Sequence, residues 1–218
     1  MGAVIGEILP LALGIAISPV PIIAAILMLL SAHAAGTGTG FLAGWIAGIV
    51  VATGVFTALA GTLSTGGEPP AWASWTKIGL GVLLLLVGAR QWRARGGEHA
   101  TPKWMTAIDS ITPLKACGLG FLLSAVNPKN LLMAIAAGVA IGSAGLTVGE
   151  EVAAVTVFTV LAASTVAVPV IAYLLAKQKM RGPLDTMKAW LQDNSTTVMS
   201  VLILVIGVVL IGKGVSGL

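Results

Sequence analysis

Apolar residues in this chain come in long unbroken stretches, not in the three-and-four spacing of a soluble amphipathic helix. The first covers residues 8–30 and the second about 39–63; after the turn Gly66-Gly67-Glu68-Pro69-Pro70, a third covers about 72–90. The fourth, about 114–141, is interrupted at Asn127-Pro128. The fifth follows Glu150-Glu151 and ends near Ala176, and the sixth covers about 197–211. A hydrocarbon core of ~30 Å takes about 20 helical residues, so the pattern predicts six crossings. Stretches 82–87 and 201–210 are apolar on every side, whereas a barrel strand alternates apolar and polar residues. The expected fold is an all-α integral membrane protein.

Composition agrees. At 57% hydrophobic and 9% charged, with mean hydropathy +1.01, these 218 residues carry too few charges to coat a soluble globule. Six helices leave little chain over, so residues 1–218 are expected to form a single transmembrane domain. Ala32-His33-Ala34 resembles a signal-peptidase site, but Glu7 precedes the run, no basic residue does, and Pro10, Pro19 and Pro21 interrupt it. The first run is expected to remain as a span. Cys117 is alone, which excludes an intrachain disulfide, a CxxC pair and a thiolate zinc site.

Twelve Lys and Arg against eight acids give a formal +4, which in a membrane protein reports orientation; no nucleic-acid partner is expected. Arg90, Arg93, Arg95, Lys103 and Lys115 lie between spans three and four, and Lys177, Lys179, Arg181 and Lys188 between five and six. That bias places both connections in the cytoplasm and both termini outside a plasma membrane. Lys77 and Lys213 are minor exceptions. Trp104, Ile108 and Ile111 recur at helical spacing opposite Lys103 and Asp109, and Leu184, Met187, Trp190 and Leu191 opposite Asp185, Lys188 and Asp193. Two helices lying in the headgroup plane among membrane lipids are expected there, fixing the depth of the bundle.

The halves resemble each other. Residues 54–60 (GVFTALA) match 156–162 (TVFTVLA) at five of seven positions. Leu13-Gly14 precedes Ser18 and Pro21 as Leu119-Gly120 precedes Ser124 and Pro128. Leu86-Val87-Gly88 corresponds to Leu210-Ile211-Gly212. Because three crossings reverse direction, copies at about 1–95 and 114–218, joined by an interfacial linker at about 96–113, are inverted repeats, a transporter architecture with its site where the repeats meet.

Ser18-Pro19-Val20-Pro21 and Asn127-Pro128-Lys129-Asn130 fall at corresponding places in the two halves. Proline removes a backbone donor and clashes with the preceding turn, so carbonyls and N–H groups there need partners that hydrocarbon cannot supply. Two packing kinks are the bland alternative to a substrate site. Lys129 is the one ionisable residue read as deep within a span, where a lysine costs ~2.5 to 3.5 kcal/mol on insertion scales and marks function by default. The expected substrate-binding residues are Ser18, Pro19, Pro21, Asn127, Pro128, Lys129 and Asn130, with no metal, cofactor or catalytic residue. Gly40, Gly44 and Gly48 form overlapping GxxxG steps, read as close packing within the chain in preference to a homodimer face.

At these residues the chain resembles the lysine-exporter superfamily, through six helices, a proline-rich first helix and an Asn-Pro-Lys step in the fourth. Residues 14–31 and 104–113, leading into Asn127-Pro128-Lys129-Asn130-Leu131, are most similar to the GAP family, the peptidoglycolipid-addressing and sulfolipid-addressing proteins of actinobacterial inner membranes. The resemblance implies export of an envelope glycolipid, commonly beside a larger lipid transporter, and marks Pro19, Pro21, Asn127, Pro128 and Lys129. Amino-acid exporters of the wider superfamily carry Pro-Gly-Pro where this chain has Pro19-Val20-Pro21, which weakens the amino-acid alternative.

The leading expectation is therefore a transporter, or transport accessory, for an anionic or zwitterionic lipid or small amphiphile. A small-solute exporter and a non-transporting structural partner of a larger lipid transporter are the alternatives. A cation exporter is disfavoured by the lack of a carboxylate read within any span. An intramembrane enzyme is disfavoured because His33 and His99 fall in connections and no Gly-x-Ser-x-Gly or HExxH motif occurs.

Overall fold

Proline placement decides where the helices break. In the computed structural model, which describes residues 1–31, 33–63, 71–94 and 111–217, three prolines occupy the first position of a helix, where a missing N–H costs nothing. Pro19 opens α2 (Pro19–Leu30) directly after α1 (Gly2–Ala16), and the pair is bent by 50°. Pro128 opens α6 (Pro128–Gly142) after α5 (Pro113–Ala125), bent by 63°. Between the pairs run α3 (Ala34–Leu63) and α4 (Ala71–Ala94). The last helical run, Val148–Val215, is interrupted at Ala176 by non-helical angles (φ −139°, ψ 46°). It divides into α7 (Val148–Lys177) and α8 (Lys179–Val215).

Every described element is helical. Four helices (α3, α4, α7 and α8) are long and apolar enough to cross a membrane, and six spans result if each bent pair counts as one. The protein is a multi-pass membrane protein. Its surface inverts the soluble pattern, since Leu59, Leu63, Leu86, Val160 and Val205 are all exposed.

Small residues let the helices touch backbone to backbone. A Cβ at Gly40, Gly44 or Gly48 of α3 would run into Pro113 O, Cys117 O or Ser124 Oγ of α5. The GxxxG face is thus occupied within the chain. The other half of α3 meets α6, where a Cβ at Gly138 would lie 2.8 Å from Thr53 O. Helices α4 and α8 approach through Gly81 and Gly207: a Cβ on either would lie 2.8 to 3.1 Å from the other's carbonyl oxygen. Around these contacts Ile8, Leu11, Ile15, Trp45, Met133, Phe158 and Ile206 form one buried cluster, with the Phe41 and Trp45 rings stacked at 6.3 Å.

Two expectations change here. Leu184, Met187, Trp190 and Leu191 do not form a separate in-plane helix. They belong to the first part of α8, where Leu184 and Leu191 are buried with Ile22, Ile23 and Ile26 of α2. Of the apolar stripe that suggested the headgroup plane, Leu184 and Leu191 are covered by α2, Met187 is half-buried and Trp190 stays exposed. Also, α1 begins six residues before the apolar run, so Glu7 is part of a helix, and its carboxylate pairs with Lys77 of α4 at 2.7 Å. Lys129 is therefore not the one ionisable residue enclosed by the bundle, and the case against a cation exporter loses its premise. The Trp104 and Ile108 segment and the Gly66 turn lie outside the described residues.

Candidate functional site

At the first break the chain tightens and then loses its ladder. Ile17 N–H still reaches Leu13 O at 2.9 Å, but Ser18 N–H shortens to Ile15 O at 3.1 Å and Pro19 offers no N–H. The carbonyls of Gly14 and Ala16 are left without helical partners. Side chains from other helices take them. Lys129 Nζ donates to Gly14 O at 2.7 Å, and the Thr165 hydroxyl of α7 donates to Ala16 O.

The second break is handled locally. Val126 and Asn127 N–H both converge on Leu122 O, at 3.0 and 3.2 Å, while Asn130 Nδ2 donates to Leu123 O at 2.8 Å. Asn127 caps α6 by accepting the Lys129 backbone N–H on its Oδ1 at 3.1 Å. Its side chain, expected to face a ligand, is committed to the helix end.

The two breaks meet through Lys129. Its side chain, only 4% exposed, crosses from the first turn of α6 to the last turn of α1, and among the described residues no carboxylate lies within 4 Å of it. Its partner is a carbonyl at a helix C-terminus, which carries partial negative charge. Ser18 and Asn130, each 0% exposed, flank this contact in sequence; Ser18 Oγ and Asn130 Oδ1 have no hydrogen-bond partner. Pro19 and Pro21 are buried, Asn127 is half-buried and Pro128 is exposed. The structure thus joins Lys129 to Gly14 and Thr165 to Ala16, leaves Ser18 Oγ and Asn130 Oδ1 buried with no hydrogen bond to Lys129, and commits Asn127 to capping α6 and Pro19 to opening α2. No sequence signal marks a backbone carbonyl such as Gly14 O. Thr165 was visible only as a hydroxyl in an apolar run.

A lateral groove of about 650 Å³ runs between α3 and α7, from Glu151 and Ala58 to Ile46 and Ala167. Thr57, Thr156 and Thr159 line it, yet each hydroxyl donates to the carbonyl four residues earlier in its own helix, at 2.7 to 2.9 Å. The walls therefore present methyl and methylene groups. Among the described residues no three His, Cys, Asp or Glu side chains gather into a metal site.

No curated protein and no solved structure matches the chain. A family model described as Sap, sulfolipid-1-addressing protein, matches residues 8–216, nearly the whole chain. The chain belongs to the sulfolipid-1-addressing protein family.

Proposed function

We propose that the protein exports an anionic or zwitterionic lipid or small amphiphile across a bacterial plasma membrane, alone or as the accessory of a larger lipid transporter. The observation that carries this reading is Lys129, a cation enclosed where two broken helices meet and met, among the described residues, by a neutral carbonyl with no carboxylate. A phosphate, sulfate or carboxylate would replace Gly14 O on the ammonium, and the bare Ser18 hydroxyl would donate to it, while the bare Asn130 Oδ1 accepts only and would take a donor such as a headgroup hydroxyl or ammonium. Pro19, Pro21, Asn127 and Pro128 hold the two half-helix ends around it. The apolar α3–α7 groove supports an amphiphile over a small solute, because its walls fit alkyl chains and its hydroxyls are spent. Membership of a lipid-addressing family, rather than a catalytic one, points the same way.

The packing supports one domain of two inverted repeats, in a register shifted from the Gly88 and Gly212 match. Gly81 and Gly207 oppose each other reciprocally, Gly88 meets Leu204, and Gly214 meets Ile78. Each pair maps onto its counterpart through one offset, 81 to 207, 88 to 214 and 78 to 204, as a pseudo-two-fold axis between α4 and α8 requires. With the basic bias of the two connections, this reading puts both termini outside.

A second reading rests on the same bond: Lys129 is a structural stitch capping α1, in a partner protein that moves nothing. Vesicles reconstituted with the protein and fluorescent phosphatidylglycerol separate the two. The export reading expects lipid movement that Lys129→Ala abolishes in correctly inserted protein and Lys129→Arg partly restores. Movement unchanged in Lys129→Ala would refute it.

A further inference from the structure

The lateral groove between α3 and α7 has a charged mouth that the export reading leaves unused. Glu150 and Glu151 are neighbours in the first turn of α7, but only Glu150 is committed, through its box with Thr147. Glu151 is half-buried and lines the groove; among the described residues no cation lies within 4 Å of its carboxylate and no hydrogen bond reaches it.

Two helix ends add to that charge. A Cβ built on Gly61, in the last turn of α3, would lie 3.9 Å from Glu151 Oε1 and 3.8 Å from Gly142 O, the carbonyl of the last residue of α6. The two oxygens therefore border one point where α3 and α6 both finish, and helix C-termini carry partial negative charge. Among the described residues, no backbone N–H of the connection after α6 returns to Gly142 O. One full and two partial negative charges thus stand together with no described cation to meet them.

Away from this mouth the groove is apolar. From Glu151 to Ala167 it follows α7 for ~24 Å, whereas the hydrocarbon of one leaflet is ~15 Å deep. An acyl chain whose headgroup sits at Glu151 is flanked by protein over its whole depth. At Gly54 an added Cβ meets nothing within 4 Å, so the wall is set back there.

We propose that this groove is a docking site for a lipid with an ammonium headgroup, such as phosphatidylethanolamine, its amine on Glu151 and one acyl chain between α3 and α7. Charge selects the occupant. A net anionic headgroup would meet the carboxylate and the two helix ends with like charge, and a hydroxyl headgroup would leave the carboxylate's charge unbalanced. An ammonium carries both the opposite charge and the donors that Glu151 Oε1 and Gly142 O accept. The site shares its groove with the export reading but depends neither on Lys129 nor on lipid movement.

The test is labelling of the full-length protein, in a nonionic detergent, by phosphatidylethanolamine or phosphatidylglycerol carrying a photoactivatable diazirine midway along one acyl chain. Cross-links located by peptide mass spectrometry are expected within residues 46–58 and 152–167. They should be about two- to fivefold stronger for phosphatidylethanolamine, the range of a partly exposed ion pair. Glu151→Gln should bring the two lipids to parity, and Glu151→Lys should reverse their order. Glu150→Gln, which removes the neighbouring carboxylate from outside the groove, should leave the preference unchanged. Gly54→Leu should weaken labelling by both lipids, because its side chain fills the groove. Equal labelling in the wild type, a preference that survives Glu151→Gln, or cross-links spread evenly over α4 and α8 as well would overturn the proposal. So would wild-type labelling of Gly54→Leu, which would seat the chain elsewhere. No step reads lipid movement, so the Lys129 variants test the export reading separately.

Discussion

Lys129 Nζ and Gly14 O lie 2.7 Å apart across 115 residues of sequence, and their bond joins the second broken helix to the first. A continuous helix would have satisfied Gly14 O with the Ser18 N–H. Bending α1 away from α2 gives that N–H to Ile15 and leaves the carbonyl for a side chain. The lysine, in turn, spends its charge on a helix C-terminus, where a cation is favoured.

Lys129→Met should therefore destabilise the fold by about 1 to 3 kcal/mol, the usual cost of leaving a buried acceptor unmade. The check is thermal unfolding of the detergent-solubilised protein, with Lys129→Arg as the variant that keeps a donor. A stabilised Lys129→Met protein would mean that burying the charge costs more than the bond returns.

Gly44 and Gly54 lie ten residues apart on α3 in opposite situations. A Cβ at Gly44 overlaps the Cys117 carbonyl, a backbone atom that cannot rotate away, while one at Gly54 meets nothing within 4 Å. Gly44→Val is expected to separate α3 from α5 and lower the yield of folded protein severely. Gly54→Val should fold normally and narrow the lateral groove. Size-exclusion profiles in detergent read both outcomes.

The long spans were legible because hydropathy alone dictates them, and the two breaks because proline cannot donate. Glu7 is hidden for the converse reason: a carboxylate ends an apolar run by any hydropathy measure, so hydropathy begins the span one residue after it, while the helix itself starts at Gly2. Leu184 and Leu191 misled because an apolar stripe does not say whether lipid or α2 covers it. Thr165 was hidden by its type. Most threonines in these spans, such as Thr57 and Thr159, bond the preceding turn of their own helix, and only the fold shows that this one reaches across to Ala16.

Cys117 approaches Gly44 through its carbonyl, and its half-buried thiol has no second cysteine to pair with. Cys117→Ser leaves the backbone contact intact. Lipid movement and thermal stability are both expected to match the wild type, which a reconstituted flip assay and a melting curve will test. A large loss of movement would expose thiol chemistry at this position.

Acid should weaken the start of α7. Thr147 caps that helix and forms a reciprocal box with Glu150, whose Oε2 accepts the Thr147 backbone N–H at 3.0 Å and its hydroxyl at 2.9 Å. The backbone bond first, then the hydroxyl, hold the Glu150 carboxyl below the usual glutamate range. A carboxyl depressed in the folded state binds protons more readily once unfolded, so its stabilisation is present above the unfolded value of ~4.3 and is lost as pH falls through the folded value. Glu150→Gln removes this titration. The difference in melting temperature between wild type and Glu150→Gln should be constant above about pH 5 and shrink only on further acidification. Taking the difference cancels every carboxylate the two proteins share, Glu7 included. A difference that instead changed between pH 6 and 8 would show that Glu150 is held by something other than the Thr147 cap.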